Sequence, residues 1–148
     1  MGKVENTELR TTIWSVNVEA EPKPQGSKNA FVKDGKAVLV EASKGVHTWR
    51  TAVTKAARFQ PPATQFNCPV WIVLEFYLTQ APSNRKDKPS QKPDLDKLIR
   101  STLDALVQAG IMTDDQIITK ISASKRWAKD RASGKPGVYV VVAEDTTD

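Results

Sequence analysis

Residues Pro93–Asp115 read PDLDKLIRSTLDALVQAGIMTDD. Leu98, Ile99, Thr102, Leu103, Leu106 and Val107 recur at the three- and four-residue spacing that gathers side chains on one side of a helix, and Gly110 supplies a left-handed stop. The spacing predicts a helix from about Asp96 to Ala109, with Ile111–Thr113 extended behind it. On its N-terminal side, Val70–Leu78 (VWIVLEFYL) is dense in β-branched and aromatic residues, as a central strand is. Thr79–Lys92 between them is a polar, proline-containing loop. On the other side Gln116–Trp127 reads as a strand, Ala128–Pro136 as a basic turn and Gly137–Ala143 as the last strand. Further upstream, Val46, Trp49, Val53 and Ala56/Ala57 form one stripe of a helix running from a Ser43 cap to about Phe59. Ala37–Glu41 is a short strand, Glu21–Asn29 a loop, and Thr11–Glu19 a strand with Trp14, Val16 and Val18 on its buried side. The order β-β-α-β-α-β-β does not alternate as a doubly wound fold does. It predicts an α+β fold, a mixed β-sheet with two main helices packed on one face.

The chain of 148 residues suits a single domain, 1–148, with residues 1–10 and 144–148 as polar tails. A 39% hydrophobic fraction argues against both wholesale disorder and a membrane protein. The longest apolar stretch, Pro69–Leu78, is interrupted by Glu75 and is about half a membrane span. Met1–Ala20 lacks the apolar core of a secretion signal, so the expected location is cytoplasmic. One cysteine, Cys68, and one histidine, His47, exclude a disulfide framework and a Cys/His zinc site. Chemistry must rest on carboxylates, lysines or hydroxyls.

The net charge of +5 understates an asymmetry. Basic residues gather in Lys23–Arg58, in Arg85–Lys92 and in Lys120–Lys135, while Asp94, Asp96, Asp104, Asp114 and Asp115 make an acidic cluster between them. One basic run is ordinarily a solvated face. Three together point to a polyanion, because clustered Lys and Arg neutralise phosphates and release counterions.

Asp94 and Asp96 stand two apart where an extended approach meets a helix. Residues i and i+2 of extended backbone point the same way, roughly 6.6 Å apart, close enough to share one cation. A hard cation such as Mg²⁺ takes oxygen ligands and keeps several waters, so two or three carboxylates suffice. The competing account makes them helix caps, which explains one aspartate but not both together with Asp114–Asp115. From Asp96 to Ala109 the helix spans roughly 21 Å. Gly110–Asp115 can return roughly 17–20 Å if nearly straight. Asp115 of the same chain is therefore expected at the pair if Ile111–Thr113 runs back along the helix; otherwise a two-fold partner must supply it. Arg100, four after Asp96 and four before Asp104, is either a helix-surface ion pair or a phosphate clamp. Lys97 carries the same two readings.

At these residues the sequence resembles the RusA family of Holliday junction resolvases. The family signature runs approximately K-P-D-x-D-N-L-x-K-x-x-x-D-A-L, then D-D-x-Q or D-D-Q, then a strand bearing K-R-[YW]. Lys92, Pro93, Asp94, Asp96, Leu98, Asp104, Ala105, Leu106, Asp114, Asp115 and Gln116 match it, followed by Lys125, Arg126 and Trp127. Weaker agreement lies at Pro24–Lys28 and in the last strand. The resemblance implies a homodimeric, Mg²⁺-dependent endonuclease, with Mn²⁺ as a substitute, that nicks four-way DNA junctions in symmetrical pairs during recombination and repair. It makes Asp94, Asp96 and Asp115 the metal-binding catalytic aspartates. Two positions depart from the pattern: Lys97 replaces the Asn, and Arg100 stands where the catalytic Lys is usual. Arg100 cannot serve as a proton donor, and Lys97 can. Lys28, Lys86, Lys88, Lys92, Lys97, Lys125 and Arg126 are the expected DNA contacts. Glu75 is the one further candidate ligand, and Trp127 and Phe31 are candidate wedges at the crossover. The rival expectations are a branched-DNA-binding protein without catalysis and a nuclease for other branched or flapped DNA.

Overall fold

The computed structural model describes residues 12–26, 28–41 and 45–147, and for 28–33 and 37–41 the backbone alone. Four strands form one sheet: β1 (Ile13–Glu19), β4 (Val70–Leu78), β5 (Ile118–Trp127) and β6 (Gly137–Glu144), in the order β1-β6-β4-β5. β4 and β5 run parallel, and the other pairs are antiparallel. The sheet is therefore mixed, and the α+β expectation holds. A helix, α2 (Leu95–Gln108), makes the crossover between the two parallel strands, while α1 (Val46–Phe59) packs beside it.

Every second residue of β4 is buried, with Ile72, Leu74 and Phe76 at 0% exposure. These residues meet Trp49 and Val53 of α1 and Leu98 and Leu106 of α2 in one apolar core, so both helices cover the same face. The helices are pinned to each other where the Trp49 indole donates to Thr102 Oγ1 at 3.2 Å.

β2 (Lys28–Lys33) and β3 (Lys36–Glu41) pair as a separate hairpin. β3 agrees with the expected strand, whereas β2 takes in residues 28 and 29, expected in a loop. The overlooked signal is Asp34-Gly35, both at positive φ (53° and 77°), the two-residue turn whose twist matches a hairpin.

Other boundaries differ by a residue or two, β5 for example starting at Ile118 and not at Gln116. The cap position of α1 is Gly45 in the left-handed conformation, with no side-chain cap bond; the expected cap, Ser43, lies outside the described residues. α2 begins at Leu95, so Asp94 is its cap residue and Asp96 already lies in its first turn. β6 continues to Glu144, and the Asp145 N–H donates to the Pro69 carbonyl at 2.8 Å, so the first residues assigned to the acidic tail extend an inner strand of the sheet. No helix among the described residues is long and apolar enough to cross a membrane.

Candidate active site

The loop after β4 carries the chain to α2 and sets the geometry of Asp94. The Trp127 indole is buried (1% exposed) and donates to the Lys86 carbonyl at 2.9 Å, tying the loop to the end of β5. Trp127 is thus a core anchor and not a wedge; the side chain of Phe31 lies outside the described residues. Two residues earlier, the half-buried Lys125 crosses from the helix side of β5 and donates to the carbonyls of Gln91 (2.8 Å) and Pro93 (2.9 Å). An ammonium spent on two backbone oxygens fixes the residue immediately before Asp94, a role other than the expected phosphate contact.

Asp94 occupies the α2 cap position with extended φ/ψ, and its side chain caps nothing. The carboxylate is half exposed and pairs with Lys97 Nζ at 3.3 Å. Such a solvent-exposed pair contributes about 0–1 kcal/mol, so structural need does not account for it. Asp96 is exposed in the same turn. Arg100, one turn on, is exposed and makes no ion pair among the described residues. The helix-surface bridge weighed for it is absent, because Asp104 turns instead to Arg50 of α1, at 3.6 Å. Lys86, Lys88 and Lys92 are exposed along the loop leading to the two aspartates. The backbone at Gln25 donates to the Lys97 carbonyl (3.1 Å), and Ser101 donates to the Lys23 carbonyl (2.7 Å). The chain leading to Lys28 therefore passes beside the same half of α2; the Lys28 side chain lies outside the described residues.

Asp115 lies elsewhere. Ile111 and Met112 are buried (1% and 0%), and their backbone brackets Phe66: the Phe66 N–H donates to the Ile111 carbonyl at 2.9 Å, and the Thr113 N–H to the Phe66 carbonyl at 3.0 Å. Apolar burial thus holds this segment against the loop after α1 and keeps it from returning along α2. Asp115 opens a short 3-10 turn (Asp115–Ile117) directly before β5, with Asp114 Oδ1 accepting its N–H at 2.7 Å. It borders an open groove of about 490 Å³ with Leu103, Ile118, Lys120 and Ile121. Lys125, beside Asp94, lies about 23 Å further along β5 at 3.3 Å per residue from Ile118. The expectation that the same chain brings Asp115 to the pair is not met. Among the described residues no three His, Cys, Asp or Glu side chains are grouped to hold a metal ion.

The Asp115 carboxyl is nonetheless held above its ordinary pKa, first by the hydrogen bond it shares with the Asp114 side chain, then by desolvation and the charges of Asp114 and Asp104. Asp114 is the close neighbour at this turn, and its like charge disfavours ionisation of Asp115. Glu75 faces the opposite side of the sheet from the helices, where it pairs with Arg126 at 3.8 Å. That removes Glu75 from the aspartates and places Arg126 on the other face from α2.

A family model described as endodeoxyribonuclease RusA matches residues 19–143, a span that takes in Asp94, Asp96, Arg100 and Asp115. Among curated proteins, none matches the sequence. The match covers most of the chain, and its fold and motif order agree with it. The chain belongs to the RusA family of endodeoxyribonucleases.

Proposed function

We propose that this protein resolves four-way DNA junctions by paired, Mg²⁺-dependent nicks, and that it acts as a two-fold homodimer in which Asp115 of one protomer completes the Asp94–Asp96 pair of the other. The observation that carries this reading is Asp94. It stands at a helix cap yet caps nothing, and among the described residues its half-exposed carboxylate pairs with the Lys97 ammonium alone.

The donor set suits a hard divalent cation, since every candidate ligand is a carboxylate oxygen. Asp94 and Asp96 would hold it from one protomer, and Asp115 from the partner. Such a cation supplies Lewis-acid polarisation of the phosphate and a nucleophilic water at neutral pH. Lys97, beside Asp94, is the group able to give a proton to the departing 3′ oxygen. Arg100 stays charged and presents a fixed fork of donors to the scissile phosphate, a geometry Lys cannot reproduce. Lys86, Lys88 and Lys92 hold the arms through phosphates, which gives affinity with little base preference. A two-fold dimer matches the symmetry of an opened junction, so two such sites would make symmetrical nicks.

The test is cleavage of a labelled four-way junction and its matched duplex, with Mg²⁺ and with EDTA, by wild type and Asp94→Asn. Paired symmetrical nicks confined to the junction, abolished by EDTA and by the substitution, are expected. Junction binding without cutting would leave a branched-DNA-binding protein. Equal cutting of flaps and junctions would make it a broader branch nuclease.

A further inference from the structure

His47, Arg50, Thr51, Thr54 and Arg58 of α1 stand at i, i+3, i+4, i+7 and i+11, a polar stripe beside the apolar one that faces the core. α1 contains no acidic residue. The stripe borders α2, where Arg50 pairs with Asp104 at 3.6 Å and Arg58 donates to the Gln108 carbonyl at 3.0 Å. The five side chains and Gln108 line a notch of about 150 Å³ in the seam between the helices. Pockets for drug-sized ligands begin at roughly 300 Å³, so the notch suits one small group. We propose that it binds phosphate, and that on DNA it takes one backbone phosphate of an arm, a contact separate from the Asp94–Asp96 site.

The lining chemistry selects an anion, since its charged groups are the Arg50 and Arg58 guanidiniums and guanidinium forks match phosphate oxygens. Arg50 is held in place by Gln25 Oε1 and Asp104, yet its buried Nε–H meets no acceptor among the described residues. A buried donor left unpaired is costly, and a phosphate oxygen supplies the acceptor. Arg58 is exposed, and its bond to Gln108 uses one of several donors while fixing the fork. The exposed hydroxyl of Thr51 is a further donor at the rim; Thr54 Oγ1 already donates to the Thr51 carbonyl at 3.0 Å. The contacts with Asp104 and Gln108 also fix direction. Arg100 precedes Asp104 by one turn on α2, so Arg100, Arg50 and Arg58 mark a line leading away from Asp94. From Asp94 to Gln108 is roughly 21 Å, or about six base pairs of duplex. That path rests on the junction reading above; phosphate binding at the notch does not.

His47 is the chain's one histidine, so its ring protons report on the notch without assignment of other imidazoles. In the full-length protein, inorganic phosphate is expected to shift those signals saturably by NMR at constant pH and ionic strength. Arg58→Gln should abolish the saturation at unchanged circular dichroism. Junction and duplex binding in EDTA then identifies the source of the phosphate. Arg58→Gln is expected to lower affinity roughly fivefold at 0.1 M salt and to reduce the salt slope by about 0.9, the loss of one phosphate contact. A scan of single neutral methylphosphonates along one arm should find a position, about six base pairs from the crossover, that costs wild type the same and Arg58→Gln nothing further. Saturable phosphate binding with junction affinity and salt slope unmoved would overturn the DNA contact and leave a small-anion site. Weakened DNA binding without a His47 response to phosphate, additive with every methylphosphonate, would reduce Arg58 to general charge and overturn the notch. Because binding is read in EDTA, a protein that cuts nothing would refute the resolvase reading and leave these outcomes intact.

Discussion

Lys125 turns a strand side chain into a brace for the backbone that leads into Asp94. Its ammonium meets the carbonyls of Gln91 and Pro93 and reaches no carboxylate among the described residues. Lys125→Met is therefore expected to lower junction cutting at limiting Mg²⁺ by about tenfold or more, in the range seen when groups supporting a metal ligand are removed. Junction affinity in EDTA should stay within about twofold, and excess Mg²⁺ should recover part of the rate. A phosphate contact would behave the other way, weakening binding in EDTA and flattening its salt dependence. At the other carboxylate, Asp115 carries a raised pKa whose first cause is its bond with Asp114. Asp114→Asn removes a negative charge and offers the ionised form a donor, so the Asp115 pKa should fall, as read by carboxyl NMR titration. The folded state holds that proton more tightly than the unfolded chain, so acidification through this titration relieves the turn rather than loosening it. Sequence spacing could identify Asp94, Asp96 and Asp115 as residues of interest. It could not show that Asp104 pairs with Arg50, since that contact joins two helices, and so an Arg100–Asp104 bridge looked as plausible as a phosphate clamp.

At the level of elements, the return after α2 decides where chemistry can occur. The length of Gly110–Asp115 permitted a run back to Asp96, and length was the only constraint the sequence supplied. The structure adds a tertiary one, since Ile111 and Met112 gain more by burial against Phe66 than by crossing solvent beside the helix. The long periodic elements were legible for the opposite reason. β4 alternates without a break, and α2 keeps its apolar stripe from Leu98 to Leu106, so local pattern and tertiary burial agree. β2 escaped because neighbouring prolines and lysines in Glu21–Asn29 outweighed the Asp34-Gly35 turn signal. Phe66, 3% exposed, holds the return segment through its backbone and fills the core with its ring. Phe66→Ala is expected to cost about 3–5 kcal/mol of stability by urea denaturation, the usual penalty for emptying a buried phenylalanine site.

For the whole molecule, the separation of the aspartates would, under the proposed shared site, link metal binding to assembly. One protomer places Asp94 and Asp96 at one end of β5 and Asp115 before the other, so a cation using all three must bridge two chains. Any ligand that binds only the dimer shifts the monomer–dimer equilibrium towards it by mass action. Mg²⁺ should therefore tighten dimerisation, and EDTA should loosen it, in analytical ultracentrifugation across a dilution series. The shift should vanish in Asp94→Asn and equally in Asp115→Asn, although those residues lie far apart in one protomer. Non-specific screening of the +5 charge would act on wild type and both variants alike, and would be reproduced by NaCl at matched ionic strength. A site complete within each protomer would raise thermal stability with Mg²⁺ at every protein concentration and leave the dimer constant unmoved. Under the shared site the Mg²⁺ gain should instead grow as the protein is diluted towards its dissociation constant, because there the cation has most to add by holding two chains together.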